Sequence, residues 1–529
     1  MPGTMVTGTA EGTGAGRGTG AGGTPAPSPG PYRGTGPDPA GPPLPSPPPS
    51  GPAGAAARAR QFALLAHARY WSTTPGRLRL LRAMTVALAT ALVVLLAVAG
   101  FGASGVWNEI DHRAAPRVTG ADGLYFALND MDAQAANLLL SSGGRGLAAM
   151  PAQHAAAQRI YLAATHTVSS DLLTLGAAAQ GDPREQATVI GFNDDFARYQ
   201  ELVGGALESD ERSDTKPKAL ADYRTATDLL RQSLLPAADR LGQSNDGAYE
   251  ATYLGARSDV GTRTTALLVL GAALLGVLLL AQLHLARRFR RIVNPGLFAA
   301  TVCAVVACAL GWAALSDQGQ QLRVARRDAF DSVVALSQAR ALSYDANADE
   351  SRYLLDPGRR STYEQSFQDT SQRLLTLPSA TLNSYDSRLA TALTAYRADH
   401  SDLRFTGYYG DEFRNITFPG ERAAAEATVN AYARYERDDR HIRALVREGH
   451  LQQAVSFCIG YGKGASNYHF GQYDTALQHL IAINRDAYTH AVASGRGALT
   501  DRLPGAAGAL FAAVALTVLG LRPRLAEYR

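Results

Sequence analysis

Lysine is nearly missing from this chain of 529 residues: of its 51 basic side chains, only Lys216, Lys218 and Lys463 are not arginine. Cysteine is as scarce. Cys303, Cys308 and Cys458 make no CxxC pair and no Cys/His set at zinc spacing, which excludes a disulfide framework and a structural zinc site. The 11 histidines are scattered without a tight i,i+4 pair. His469, His479 and His490 recur near Asp474 and Asp486 at roughly helical spacing, and they read as a solvated helix face rather than as ligands. A Walker loop, a GxSxG elbow and an HExxH pair are all missing. The formal charge of +4 is too small to argue for nucleic acid, and no basic stripe with interleaved aromatics accompanies it. These absences leave no catalytic, cofactor-binding or metal-binding constellation, so the expectation is a protein that is not an enzyme and needs no cofactor.

Charge itself is absent from four long blocks. Ala83–Ala103, Leu267–Ala286, Leu297–Leu315 and Leu503–Leu521 contain no Asp, Glu, Lys or Arg. A hydrocarbon core of ~30 Å takes ~20 helical residues, so each block is long enough to span a bilayer. The expected spans are 83–103, 264–286, 297–315 and 503–521. Arginines cluster at one end of every span: Arg58, Arg60, Arg69, Arg77, Arg79 and Arg82 before the first, Arg287, Arg288, Arg290 and Arg291 between the second and third, and Arg522, Arg524 and Arg529 after the fourth. The positive-inside rule makes that side cytoplasmic, with both termini inside a plasma membrane. The 287–296 connector then reads as an Arg-rich cytoplasmic hairpin held by anionic headgroups, a candidate relay surface. The spans lack the ionisable residues that a coupled transporter places at the midplane.

What remains outside the spans is two long segments, 104–263 and 316–502, rich in Ala, Leu, Arg, Asp and Gln. Apolar residues recur at three- and four-residue spacing, as in Leu128, Met131, Ala135, Leu138 and Leu139. Breakers divide the first segment into four helices: SSGG after about Leu140, Gly181-Asp182-Pro183, and the charged turn ESDERSDTKPK. The last helix runs directly into the second span. The expected fold is therefore an all-α membrane protein with four transmembrane helices and two extracytoplasmic four-helix bundles.

The second segment looks like a copy of the first. At one constant offset Asp130 falls on Asp345, Ala133 on Ala348, Leu139–Leu140 on Leu354–Leu355, and Gly143 on Gly358. LLTL at 172–175 recurs at 374–377, with Tyr161 and Tyr363 equally far ahead of it. YRTATDLL from Tyr223 resembles YDTALQHL from Tyr473. Ordered matches on a shared span–bundle–span plan argue for internal duplication. The aspartates at 130 and 345 read as surface polar groups or interhelical pairs. The second segment is longer between Tyr396 and Tyr473 than the first is between Tyr199 and Tyr223. This places an expected insert, 411–469, at the membrane-distal tip, with a helix at 421–447 and a shorter one at 449–459. Its closing GYGKGASNYHFGQY offers Tyr461, Tyr468, Phe470 and Tyr473 as candidate partner-binding residues, because exposed aromatics on an adaptable loop give large contact area.

Residues 1–57 are Gly, Thr, Pro and Ser with few large apolar groups, and they cannot bury enough surface to fold. PPLPSPPPSGP at 42–52 favours polyproline II. Within 58–82, RARQFALLAHARYW alternates basic and apolar groups and reads as a juxtamembrane helix on the bilayer surface.

The span–bundle–span unit resembles the sensor modules of chemoreceptors and histidine kinases, and RRFRRIVNPGLF resembles the start of the HAMP linker after their second span. Here a third span begins where HAMP would continue. Four spans, two outside helical lobes and no output domain resemble, over about 58–529, the GlnX-type membrane proteins of actinobacteria. That resemblance is architectural and carries over no functional residue. It implies a non-enzymatic transmembrane signal relay that couples an extracytoplasmic solute-binding lipoprotein, or a small ligand, to a cytoplasmic Ser/Thr kinase. Its partners would be the lipid bilayer, those two proteins and a possible second copy in a homodimer. The rival expectation is a structural scaffold of the envelope.

Overall fold

The computed structural model describes residues 74–143, 147–179, 183–212, 215–289 and 294–526. Residues 1–73, and with them the expected proline-rich tail and most of the juxtamembrane helix, lie outside the described residues.

Among the described residues the chain is almost entirely helical, and its one β pairing is an isolated bridge between Thr376 and Thr406. Helix α1 (Thr74–Glu109) passes through a π turn, Ile110–Ala114, into α2 (Ala115–Ser141). Helices α3 (Pro151–Ala178), α4 (Pro183–Glu211) and α5 (Lys216–Leu229) follow, and a second π turn, Leu230–Leu234, leads into α6 (Leu235–Phe289). Helix α7 (Pro295–Arg323) continues through a third, Val324–Phe330, into α8 (Asp331–Leu355). The rest are α9 (Arg360–Leu374), α10 (Tyr385–Ala398), α11 (Gly407–Asn415), α12 (Glu421–Arg447), α13 (Leu451–Cys458) and α14 (Ser466–Ala526).

Four helices are long and apolar enough to cross a membrane: Gly76–Ser141, Pro217–Arg287, Pro295–Leu355 and Ser466–Pro523. They span 58–71 residues, which at ~1.5 Å per residue is about 90–105 Å of rod. Each rod therefore contains a span and a lobe helix with no break between them. The spans pack on small residues. A Cβ on Gly271 would meet Cys308 Sγ at 2.8 Å, and one on Gly296 would meet the Gly520 backbone at 2.9 Å. With so little apolar driving force between helices in lipid, close backbone approach and buried polar contacts hold such a bundle. Gln282 supplies one contact, donating to Thr301 Oγ1 at 2.9 Å. At the hairpin, Asn294 caps α7 by accepting from Gly296 N and Leu297 N, and it donates to Gly520 O at 3.1 Å.

Lobe one is α2–α6. In lobe two, α8 ascends from the membrane side and α9 returns from the tip after Asp356 accepts from Gly358 N at 3.1 Å. The expected insert is corrected here. Helix 421–447 is not part of a tip subdomain; it is α12, the second ascending helix of the lobe, packed antiparallel along α14. Its start lies low, where Asn415, a few residues earlier, donates to Asp328 O and Ser332 Oγ. Its far end lies high, where the Arg443 guanidinium sits 4.9 Å over the Tyr353 ring. The additional chain is therefore 375–420, with α10 and α11 packed beside α8, α9 and α12, plus the short α13 at the distal end. Gly407, at φ +80, makes the turn into α11, where a Cβ would lie 2.7 Å from Arg373 O.

The lobes do not stand apart. Helices α2 and α8 pack against each other along their length, and one apolar core runs from Leu128 and Leu139 of lobe one through Tyr353–Leu355 to Ile442 and Val455 of lobe two. The offset that carries Asp130 onto Asp345 also carries 110–114 to 325–329, inside the π turn Val324–Phe330.

Candidate functional site

The seam between α2 and α8 is polar at its distal end. Every residue of 127–141 in α2 and of 346–355 in α8 is buried, which puts Asp132, Asp349 and Arg352 where water cannot reach: all three side chains are 0% exposed. A buried charge survives only if it is paired and hydrogen-bonded. Arg352 Nη2 and Nε reach Asp132 Oδ2 across the lobes at 2.6 and 2.9 Å. Its Nη1 reaches Asp349 Oδ1 at 2.6 Å and Asp345 Oδ1 at 2.9 Å on its own helix. From lobe one, Arg231 comes to the same two aspartates at 2.7 and 3.2 Å and to Ser366 Oγ at 2.8 Å. Three hydroxyls complete Asp132: Tyr199 donates at 2.8 Å, Tyr223 at 3.1 Å and Thr227 at 3.3 Å.

The cluster sets three carboxylates against two guanidiniums. Burial raises Asp345, but Arg231 and Arg352 outweigh it and hold this carboxyl at about 2. The imbalance falls on Asp349, which burial raises and whose Oδ2 has no partner. Further out, Arg224 Nε meets Asp356 at 2.7 Å and Arg359 meets Asp228 at 2.8 Å, again from one lobe to the other. Replacing such a pair with apolar groups is often neutral, whereas removing one member is costly. The cluster therefore specifies how the lobes register more than it adds net stability.

A second junction sits just above the spans, where all four rods meet. Trp107 is fully buried and donates from Nε1 to Gln318 Oε1 at 3.2 Å. Its ring lies where a Cβ on Gly495 would be, 2.2 Å from Cζ2. Arg496, one residue on, reaches Trp107 O at 3.3 Å and Asp111 at 3.1 Å. Arg326, inside its π turn and 5% exposed, pairs with Asp246, Glu250 and Asp331 at 2.8–3.0 Å. It also covers the Tyr249 ring at 4.8 Å. Phe330 packs edge-to-face on Tyr249 and tilted against Tyr488, centroids 4.7 and 5.4 Å away. π turns inside α-helices favour functional sites because one turn carries a loosened hydrogen-bond ladder. Two of the three here lie in this junction.

The residues singled out from the sequence scatter. Of the four aromatics, Tyr461 is 39% exposed and its hydroxyl lies 3.4 Å from Gln134 of lobe one. Tyr468 is half-buried. Phe470 and Tyr473 are a correction: they are 6% and 1% exposed, core residues packed on Tyr344 and Tyr435, with Tyr473 OH 2.6 Å from Ser343 Oγ. The reason is that α14 begins at Ser466, so these residues belong to the core-facing phase of a helix and not to a loop. His469 Nδ1 lies 2.6 Å from Asp438. Arg287 is exposed at the end of α6; Arg288 is helical with its side chain outside the described residues, as are Arg290 and Arg291 altogether. Asp130 and Asp345, matched by position, differ in environment. Asp345 joins the seam, whereas Asp130 accepts from Gln134 at 3.0 Å and burial raises it to about 6. Sequence reasoning missed Asp132, Arg231 and Arg352. Only Arg352 had a local signal, its spacing with Asp345 and Asp349 on one face of an inward-facing helix; Asp132 and Arg231 had none.

No curated protein and no solved structure matches the chain. Residues 106–254, which cover lobe one almost end to end, match a family model described as an actinobacterial sensor domain, and by that lobe the chain is similar to actinobacterial sensor-type proteins.

Proposed function

We propose that the protein is a non-enzymatic transmembrane signal relay. An input outside the membrane, a solute-binding lipoprotein or a small ligand, sets the packing of the two lobes, and the rods pass that packing to a cytoplasmic partner such as a Ser/Thr kinase. The observation that supports this best is the buried Asp132–Arg352 pair between lobes, on helices that run unbroken into spans. A close-packed seam has discrete arrangements, so a shift of 1–2 Å at an interface is carried along a rigid helix rather than absorbed. The input must favour one packing by its own differential affinity, since equal affinity for both shifts nothing. The arginine-rich ends, by the positive-inside rule, face the cytoplasm and present the output. The duplicated plan, with π turns at corresponding places, gives both halves the same lever above the membrane.

The reading is tested by crosslinking in intact cells followed by purification through this chain. Recovery of a solute-binding lipoprotein from outside and a Ser/Thr kinase from inside is the expected result. Recovery of cell-wall or division machinery with neither would replace the relay by a scaffold. Labelling of a cysteine placed at 287 only after the membrane is permeabilised fixes the orientation; labelling from outside reverses it.

A further inference from the structure

Between the seam and the juxtamembrane junction the lobes separate around a cavity of about 380 Å³. Helices α2 and α6 line one side and α8, α9 and α11 the other. This is within the size of small-molecule sites, ~300–1,000 Å³. Its walls are apolar where Leu235, Pro236 and Leu342 face it, and Tyr125 and Tyr408 add two rings. Its polar groups do not balance. Asp122, Asp239 and Asp345 contribute carboxyls, Arg231 and Arg373 guanidiniums. The charge of Arg231 is already met by Asp345 and Asp349. Asp122 is only 7% exposed, and its Oδ2 has no hydrogen-bond partner. A buried acceptor left without a donor costs free energy that an occupant relieves. At the rim, Arg373 is exposed and pairs with no carboxylate among the described residues.

We propose that this cavity binds a small organic ligand through a protonated amine seated on Asp122, with Arg373 at the rim to receive a carboxylate where the ligand has one. An ammonium brings three donors to the unpartnered oxygen and neutralises the excess negative charge. The tyrosine rings and apolar wall take the carbon skeleton, a role that a bare metal ion leaves empty. Burial, with Asp246 and Asp239 nearby, raises Asp122 to about 7 while Gln338 opposes the shift; a bound cation pulls the carboxyl back toward its ionised form. The site uses Arg231 and Asp345 of the seam as part of its own wall, so an occupant touches the groups that register the lobes. The inference rests on the relay reading for its consequence and not for its chemistry.

The test is calorimetric titration of the full chain in nanodiscs with three probes of one skeleton: pentylamine, norvaline and valerate. Saturable binding of the two amines, with none of valerate, is expected. Norvaline binding tighter than pentylamine identifies an amino-acid-like zwitterion as the ligand class; equal affinities identify a simple amine. Asp122→Asn, nearly isosteric, weakens the amines at least about tenfold, with unchanged helix content by circular dichroism. Should Asp122→Asn not fold, Ala238→Phe, which fills the cavity from another wall, is expected to abolish the same binding. Amine binding that persists undiminished in either folded variant overturns the proposal, as does valerate binding as well as norvaline, or no saturable heat from any amine up to about 10 mM. A failure of this kind leaves the relay with a protein input; binding without recovery of a kinase would instead preserve the site and remove the relay.

Discussion

Replacing Arg352 by methionine keeps the volume of the side chain and removes its guanidinium. Asp132, fully buried, then keeps only the three hydroxyls of Tyr199, Tyr223 and Thr227. Asp345 and Asp349 keep Arg231. Removing one member of a buried ion pair costs about 3–5 kcal/mol, because the other charge is left without compensation. Domains of 150–250 residues lose ~2–4 °C per kcal/mol, and a larger cooperative unit falls at the low end. The expected loss of apparent melting temperature in detergent is therefore about 6–10 °C. The second arm removes the stranded charge. Asp132→Asn combined with Arg352→Met is expected to recover at least half of the loss, a coupling that only directly interacting sites show. Arg113→Met is the control, since its partner Glu109 lies one turn away on an exposed face and such pairs contribute at most about 1 kcal/mol. If Arg352→Met melts within about 2 °C of the wild type, or the double substitution recovers nothing, the seam is not held by this pair and the argument for lobe registration fails.

Gly495→Ala places a methyl against Trp107, which is held by Gln318, so the ring must leave its site; overpacking of this kind costs about 1–3 kcal/mol, and unaltered tryptophan fluorescence would contradict the packing described. Burial raises Asp122 and Glu412 to about 7 and Glu436 to about 8. The native state thus holds these protons more tightly than the unfolded chain does, and stability falls as pH climbs from the ordinary carboxyl range through 7–8. The melting temperature is expected to be higher at pH 5.5 than at pH 8, with the difference reduced in Glu436→Gln; a rise toward pH 8 would reverse the sign. Gln282→Leu removes the bond to Thr301 between the second and third spans, and about 0.6–2 kcal/mol of destabilisation is expected; a stabilised variant would show that the spans need no such contact.

Helices and spans were legible because both follow from local rules. Charge-free blocks of bilayer length and Gly and Pro breakers act within a turn or two of the chain. The helix ends near Leu140 and Gly181 and the unbroken passage from the fourth helix of lobe one into a span fall where those rules put them. Lobe two defeated the same rules for a physical reason. Tyr396 was equated with Tyr199 by spacing alone, yet α10 carries Tyr396 outside the main ascending helix, and an amphipathic 27-residue segment, α12, takes that place. Spacing measures chain length; burial against α14 decides which helix completes the bundle. The aromatics Phe470 and Tyr473 were misplaced by the glycines before them, which end at Gly464, two residues short of the helix. The pairing across the seam was illegible in principle. Asp132 and Arg352 are 220 positions apart, and no periodicity within either helix states which other helix it faces.

In the proposed relay, the positions of the π turns bear on how the seam would communicate with the membrane. A π turn inserts one residue into the ladder and rotates every residue beyond it by about 100° relative to an uninterrupted α-helix. In the first and third rods the insertion falls between the span and the lobe helix. The faces that α2 and α8 turn toward each other are thus set independently of the faces their spans turn toward lipid. That offset lets α2 put Asp132, and α8 put Arg352, into the seam while small residues such as Gly311 remain against Leu96 and Leu267 within the membrane. The same feature loosens the hydrogen-bond ladder of these two rods at the junction, and it is there that Trp107, Arg326 and Arg496 tie the four rods together. A rod soft at one turn would absorb a displacement if that turn were free; clamped by cross-rod bonds, it hands the displacement to its three neighbours. Under the proposed relay, transmission is therefore a property of the four-rod junction as a unit, and weakening any one clamp should loosen the coupling of both lobes at once.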